Sequence, residues 1–148
     1  MNMSNMCVIG AGRMGSLYGA LLAKNGLQVT LYDRWRQHID AIRQNGLRID
    51  GISGDLTIRI PATAEIEEIA PCEIALVLSD TNGTAHAAEV ARRVLTPSGF
   101  ALTLQNGIGN VEILSNTIGA NRVLAGLSYH SAALAGPGHV THTHAGPT

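Results

Sequence analysis

Met6-Cys7-Val8-Ile9-Gly10-Ala11-Gly12-Arg13-Met14-Gly15 decides how the chain folds. An apolar run of strand character meets three glycines spaced G-x-G-x-x-G. An apolar, alanine-rich segment of helical character, Ser16 to Lys24, follows at once. The spacing gives each glycine its own task. Gly10 permits a sharp turn, Gly12 lets main chain approach an anionic group with no Cβ between them, and Gly15 lets the helix pack close to the strand. The amino end of that helix offers free N–H groups and the positive end of its dipole.

With 17 glycines in 148 residues, such spacing also arises by chance or for purely structural reasons, so context has to decide. Here the motif follows a strand-like run, opens a helix, and precedes a second strand, Gln28–Asp33, that ends in an acid 18 residues beyond Gly15. That order is the Rossmann dinucleotide-binding fingerprint, with pyrophosphate on the glycine turn and ribose on the acid. Cofactor contacts are expected from Gly10, Ala11, Gly12, Arg13, Met14 and Gly15, from Asp33 and Arg34, and from Ser79, Asp80 and Asn106.

Composition narrows the class. Hydrophobic residues make up 45% of the chain and charged residues 14%, which excludes a disordered polymer and fits one domain with a sizeable core. Net charge is −1, and no basic stripe or interleaved aromatics point to a nucleic-acid partner. With one Phe, one Trp and three Tyr, the core has to be aliphatic. The two cysteines, Cys7 and Cys72, adjoin strand-like runs without forming C-x-x-C and read as buried reduced thiols. Residues 1–5 lack the basic and apolar regions of a secretory signal, and no run reaches the roughly 18 apolar residues of a membrane span. The expectation is a soluble, cytoplasmic protein with no membrane partner.

Helices are expected from Arg13 or Met14 to Asn25, Arg36 to Gln44, Thr84 to Leu95 and Val111 to Ile118, and one or two helical turns over Glu65–Ile69. Gly26 and Asn45-Gly46 act as stop signals. Leu47–Asp50 and Leu56–Ile60 alternate apolar and polar residues, which reads as an antiparallel hairpin added to a parallel sheet. Cys72–Leu78 and Phe100–Leu104 read as doubly buried strands separated by a turn at Thr96–Gly99, followed by strands at Arg122–Tyr129 and Gly138–His144. The architecture is α/β and doubly wound, with a mostly parallel sheet. Ligands in such sheets sit beyond the strands' carboxyl ends, so Gly10–Gly15, Asp33–Arg36, Ser79–Gly83 and Gln105–Gly109 should converge.

With these residues placed, the chain resembles the N-terminal half of the ketopantoate reductase (2-dehydropantoate 2-reductase) family over nearly all of its length. The glycine motif is common to Rossmann dehydrogenases. More specific are the segment His38-x-x-Ala41-Ile42-x-x-Asn45-Gly46-Leu47, the run Leu104-Gln105-Asn106-Gly107-Ile108-Gly109-Asn110, and Gly136-Pro137-Gly138-His139-Val140-Thr141-His142. The resemblance implies transfer of hydride from a reduced nicotinamide to the 2-oxo acid ketopantoate, giving pantoate for coenzyme A synthesis. It implies that Asn106 lies beside nicotinamide and substrate; read from the residues alone, Asn106-Gly107 also serves as a plain turn.

This chain departs from the family pattern in places. Many members carry a lysine in the loop after the fourth parallel strand, where this chain has Ser79-Asp80, and an acid there repels phosphate. Many also carry an arginine after the second strand, suited to NADP. Asp33 instead suits a free ribose hydroxyl and tilts the choice toward NAD, although Arg34 and Arg36 stand near enough to receive a phosphate. The family's helical C-terminal domain, with its general-acid lysine and substrate-gripping glutamate, is absent. The one lysine here, Lys24, reads as an ordinary surface residue. Residues 1–148 are therefore expected to bind the cofactor yet to be inactive alone.

If Gly138–His144 ended a truncated sheet, it would be an unpaired edge inviting self-association, hence a possible homo-oligomer. His142 and His144 share a strand face but lack the further ligands of a zinc site, so they read as surface residues; His38 and His86 read as solvent-facing or capping. Two rival functions remain open: another 2-oxo acid or hydroxyacid dehydrogenase, and a non-catalytic nucleotide-sensing module.

Overall fold

The computed structural model describes residues 5–148. The expectation that the first residues carry no secretory signal rests mainly on residues 1–4, outside the described residues.

Five crossings build a six-stranded parallel sheet. Its strands are β1 (Asn5–Ile9), β2 (Gln28–Tyr32), β5 (Ala62–Thr63), β6 (Cys72–Val77), β7 (Leu95–Thr103) and β8 (Val123–Ala125), in the order β5-β2-β1-β6-β7-β8. The order runs outward from β1 in both directions, so the chain reverses its winding between β1 and β6. A crevice opens at such a reversal. The helices are α1 (Arg13–Lys24), α2 (Arg36–Asn45), α3 (Thr84–Val94) and α4 (Asn110–Ile118), with 3-10 turns at Ile66–Glu68, Thr81–Gly83 and Ala120–Arg122.

Alternation along β1 divides the core in two. Met6 and Val8 join Leu17 and Ala20 of α1 and Ile39 and Ile42 of α2 on one face. Cys7 and Ile9 join Ala87, Ala88 and Val90 of α3 and Leu114 of α4 on the other. A fully buried Leu or Ile contributes roughly 1.5–3 kcal/mol, so two aliphatic layers suffice without aromatic bulk. Both cysteines are free and buried, and burial pushes the Cys72 thiol up to about 11 and the Cys7 thiol higher still. Lys24 is exposed, as expected. No described helix is long and apolar enough to cross a membrane.

Three expectations need correction. The hairpin, β3 (Leu47–Gly51) with β4 (Leu56–Ile58), does not extend the parallel sheet. It belongs to a second, four-stranded sheet in the order β4-β3-β10-β9, with β9 at Ser131–Gly136 and β10 at His139–His144. This sheet covers the outer side of α1, and Ile49 and Val140 reach the core that α1 shares with β1. Consequently residues 139–144 are no edge. β10 runs parallel to β3 on one side and antiparallel to β9 on the other, so its main-chain groups are already paired. Finally, the strand expected at 122–129 is regular only over Val123–Ala125.

The turn at 96–99 takes the form of a bulge inside β7. Leu95 pairs with Cys72 and Phe100 with Ile74, so the four residues between are looped out of register. Arg122 steadies them by donating to the carbonyls of Gly99 at 2.8 Å and Thr96 at 2.7 Å.

Candidate functional site

The loops after β1, β2, β6 and β7 converge on a cleft of about 480 Å³ beyond the carboxyl ends of the parallel strands. Gly10, Gly12, Arg13 and Met14 form one wall. Asp33 and Arg34 stand at one end, and Ser79, Asp80, Gln105 and Asn106 at the other. Of the residues singled out in the sequence, Ala11 and Gly15 do not line the cleft; Ala11 is fully buried.

The three glycines differ as their spacing predicts. Gly10 has φ +95°, and a Cβ there would lie 2.3 Å from the Ser79 main-chain nitrogen. At Gly15 a Cβ would lie 1.9 Å from the Gly10 carbonyl oxygen, so only glycine lets α1 seat against the turn. Gly12 is the opposite case: a Cβ would meet nothing within 4 Å. It caps α1 with no side-chain hydrogen bond, and the first helical turn holds no acid. Among the described residues, no side chain caps the N–H groups left free at this end. Room and polarity both fit a pyrophosphate.

Asp33 follows β2 directly. Its Oδ1 accepts from the Trp35 N–H at 2.9 Å, which fixes the carboxylate at the strand end. Arg36 is paired with Glu65, whereas Arg34 lines the cleft and makes no ion pair among the described residues. Behind them the Tyr32 hydroxyl and His86 Nε2 lie 2.9 Å apart. Burial, helped by the charge of Arg34, holds the His86 imidazole below its ordinary range; burial also raises the Tyr32 hydroxyl. His86 thus faces Tyr32 and the cleft, a correction to the solvent-facing or capping reading. It and Tyr32 are contacts the sequence reading missed. An aromatic ending β2 and a histidine in the first turns of α3 were the available signals.

Asp80 turns its carboxylate to the chain itself. Oδ1 accepts from the Gly83 N–H at 2.8 Å and caps the turn that leads into α3. Gln105 also went unnoticed as a structural clamp. Its Nε2 lies 2.7 Å from the Ser79 carbonyl and 3.0 Å from Thr84 Oγ1, while Oε1 accepts from Thr103 Oγ1 at 3.0 Å. This ties the loop after β6 to the loop after β7. The Asn106 carbonyl is held by Thr81 Oγ1 at 3.0 Å and Asn110 Nδ2 at 3.1 Å. Its side-chain amide makes no hydrogen bond among the described residues, leaving both amide functions available to a ligand. Asn106 therefore makes a turn and also lines the cleft.

Away from the cleft, two histidines contradict the surface reading. His38 is fully buried and His142 is 4% exposed. His142 bonds Ser53 and lies 3.0 Å from His130 Nδ1. His144 is exposed. No group of three or more potential metal ligands forms among the described residues.

Residues 6–148 match the family described as ketopantoate reductase PanE/ApbA. A 2-dehydropantoate 2-reductase of Halobacterium salinarum is 34% identical over 142 residues, which cover 95% of this chain and 46% of that protein. The crystal structure of 2-dehydropantoate 2-reductase from Geobacter metallireducens superposes with a TM-score of 0.88 at 34% identity, covering 95% of this chain and 46% of the other. A ternary structure of D-mandelate dehydrogenase with NADH and anilino(oxo)acetate shares the fold, with a TM-score of 0.88 at 24% identity over 95% of this chain and 45% of that one. The chain spans about half the length of the curated relatives it matches.

Proposed function

The chain belongs to the ketopantoate reductase PanE/ApbA family, and from that premise we propose that residues 1–148 are the dinucleotide-binding half of an NAD(P)H-dependent reductase that converts ketopantoate to pantoate. The observation that carries this reading is the convergence of an uncapped α1 amino end, an open Gly12, the Asp33 carboxylate and the free Asn106 amide in one cleft. When bound, a reduced nicotinamide supplies the hydride for a 2-oxo carbon.

The chain's own residues bind and orient. The glycine turn holds pyrophosphate, Asp33 accepts a ribose hydroxyl, and Asn106 steadies the nicotinamide or a substrate oxygen. Among the described residues the cleft holds no lysine, and Lys24 lies outside it. We assign the proton for the developing alkoxide to a donor outside this half. The coenzyme A pathway also implies a cytoplasmic setting.

We assign NADH as the preferred cofactor. The Asp33 carboxylate, with only one oxygen engaged among the described residues, favours a ribose hydroxyl over a 2′-phosphate. Titrating NADH and NADPH into the chain tests both parts. Tight binding of NADH with weaker NADPH is expected, and Asp33→Asn should erase about tenfold of the difference. If neither nucleotide binds well-folded chain, the reading fails; tighter NADPH overturns only the preference. Ketopantoate should be reduced by the family's two-domain form and not by this chain alone, where turnover at enzymatic rates would count against the division of labour.

A further inference from the structure

We propose that His38, acting through Ser16, is a positioning residue that aims the Gly12 N–H into the cleft toward the pyrophosphate of a bound dinucleotide. The inference rests on the cofactor-binding reading above.

His38 lies on α2, fully buried and outside the cleft. Its Nδ1 accepts from the Gly138 N–H at 2.9 Å. A main-chain N–H can only donate, so Nδ1 carries no proton and the neutral ring carries it on Nε2. Nε2–H then donates to Ser16 Oγ, 2.9 Å away, and the Ser16 hydroxyl donates to the Ala11 carbonyl at 2.9 Å. The chain of donors has one direction, from the β9–β10 turn through α2 and α1 to the glycine loop. Its end point pins the Ala11 carbonyl inward. Among the described residues no peptide is cis, and in a trans peptide the carbonyl and the following N–H point in opposite directions. The Gly12 N–H therefore faces away from Ser16, on the side where Gly12 lines the cleft.

Such an anchor matters in this sequence because glycines on both sides of Ala11 would make rotation of the peptide plane cheap. Trp35 stacks on the imidazole with centroids 4.7 Å apart and planes 8° from parallel, which fixes the ring plane. Burial lowers the His38 pKa, outweighing the opposing pulls of Asp33 and of the Ala11 carbonyl, in keeping with the neutral ring that the hydrogen bonds require.

Three variants of the chain test the assignment: Ser16→Ala, His38→Asn and His38→Gln. The probes are NADH, ADP-ribose and adenosine, the last lacking the pyrophosphate. Ser16→Ala and His38→Asn should weaken NADH and ADP-ribose by about tenfold, the loss expected when a buried hydrogen bond that orients a donor is removed. Adenosine binding should not change. Gln reproduces a donor near the Nε2 position, so His38→Gln should restore NADH binding to within about twofold. Equal losses for adenosine and NADH, or full NADH affinity in Ser16→Ala, would overturn the proposal. Ser16→Ala carries the test if a His38 variant does not fold. Absence of NADH and NADPH binding in the unmodified chain would remove the parent reading itself, a different result from binding that is intact and indifferent to Ser16.

Discussion

The carboxyl edge of the parallel sheet and the four-stranded sheet behind α1 rest on different kinds of information. At the first, strand, turn and helix lie within twenty residues of one another, and each glycine's task follows from its immediate neighbours. In the second, β3 pairs with β10, bringing Arg48 opposite His139 across most of the chain. Neither strand alone announces its partner. The first region is therefore set by local geometry, while the second is held by long-range packing. Damage to each should look different.

Gly15→Ala probes the first region at its tightest point and carries the largest expected effect. A Cβ lying 1.9 Å from the Gly10 carbonyl forces α1 off the turn. Stability should drop by about 3 kcal/mol, the upper range for overpacking, and NADH binding should vanish with it. Chemical denaturation paired with titration measures both. Retained tight binding would mean that the glycine turn is not the phosphate site.

Ile49→Ala probes the second region. Ile49 is fully buried in the core that α1 shares with both sheets. Its truncation should cost about 2–4 kcal/mol while NADH binding to the remaining folded protein changes little. A loss of affinity as steep as that of Gly15→Ala would erase the contrast between the regions.

That contrast also explains what the sequence made legible. The glycine motif, Asp33 and the four convergent loops were readable because each signal spans a few residues. β9 was not, because half of Ser131-Ala132-Ala133-Leu134-Ala135-Gly136 is alanine, a residue with little strand preference. The hairpin was visible as alternation, but alternation does not say which sheet it joins. His38 and His142 were misread for a related cause. Each sits on a periodic apolar face, His38 four residues before Ile42 and His142 two after Val140, yet their polarity argued for solvent. Burial became explicable only once Ser16, Gly138, Ser53 and His130 supplied partners from distant segments.

Acid sharpens the comparison next. In His38 burial lowers the imidazole pKa, and in His142 burial and then His130 do so. Unfolded histidine titrates near 6.5, so just below that pH the unfolded chain binds more protons than the native one. Stability contributed by keeping these rings neutral is present above pH 6.5 and is lost as pH falls toward the lower native values. Both rings belong to or bond the second sheet. Thermal unfolding should come at lower temperature at pH 5.5 than at pH 7.5, and hydrogen exchange should rise in β9 and β10 before β1 and β6. Exchange rising first in β1 would place the weak point in the wrong sheet.

The smallest expected effect concerns Asp80, where two electrostatic accounts of one carboxylate compete. If Asp80 chiefly repelled a bound phosphate, its removal would tighten nucleotide binding. The geometry gives it another role: Oδ1 accepts the Gly83 N–H at 2.8 Å and caps the turn into α3, while Gln105 fastens the same loop from the other side. Loss of such a cap costs roughly 1 kcal/mol. Asp80→Ala should therefore lower stability by that amount, and Asp80→Asn, which retains an acceptor oxygen, by less. NADH affinity should stay within about threefold in Asp80→Asn, since the charge is lost but the turn is kept. A tenfold gain in NADH affinity from Asp80→Asn would instead show that the carboxylate's charge reaches the cleft, and that the cap is only its secondary role.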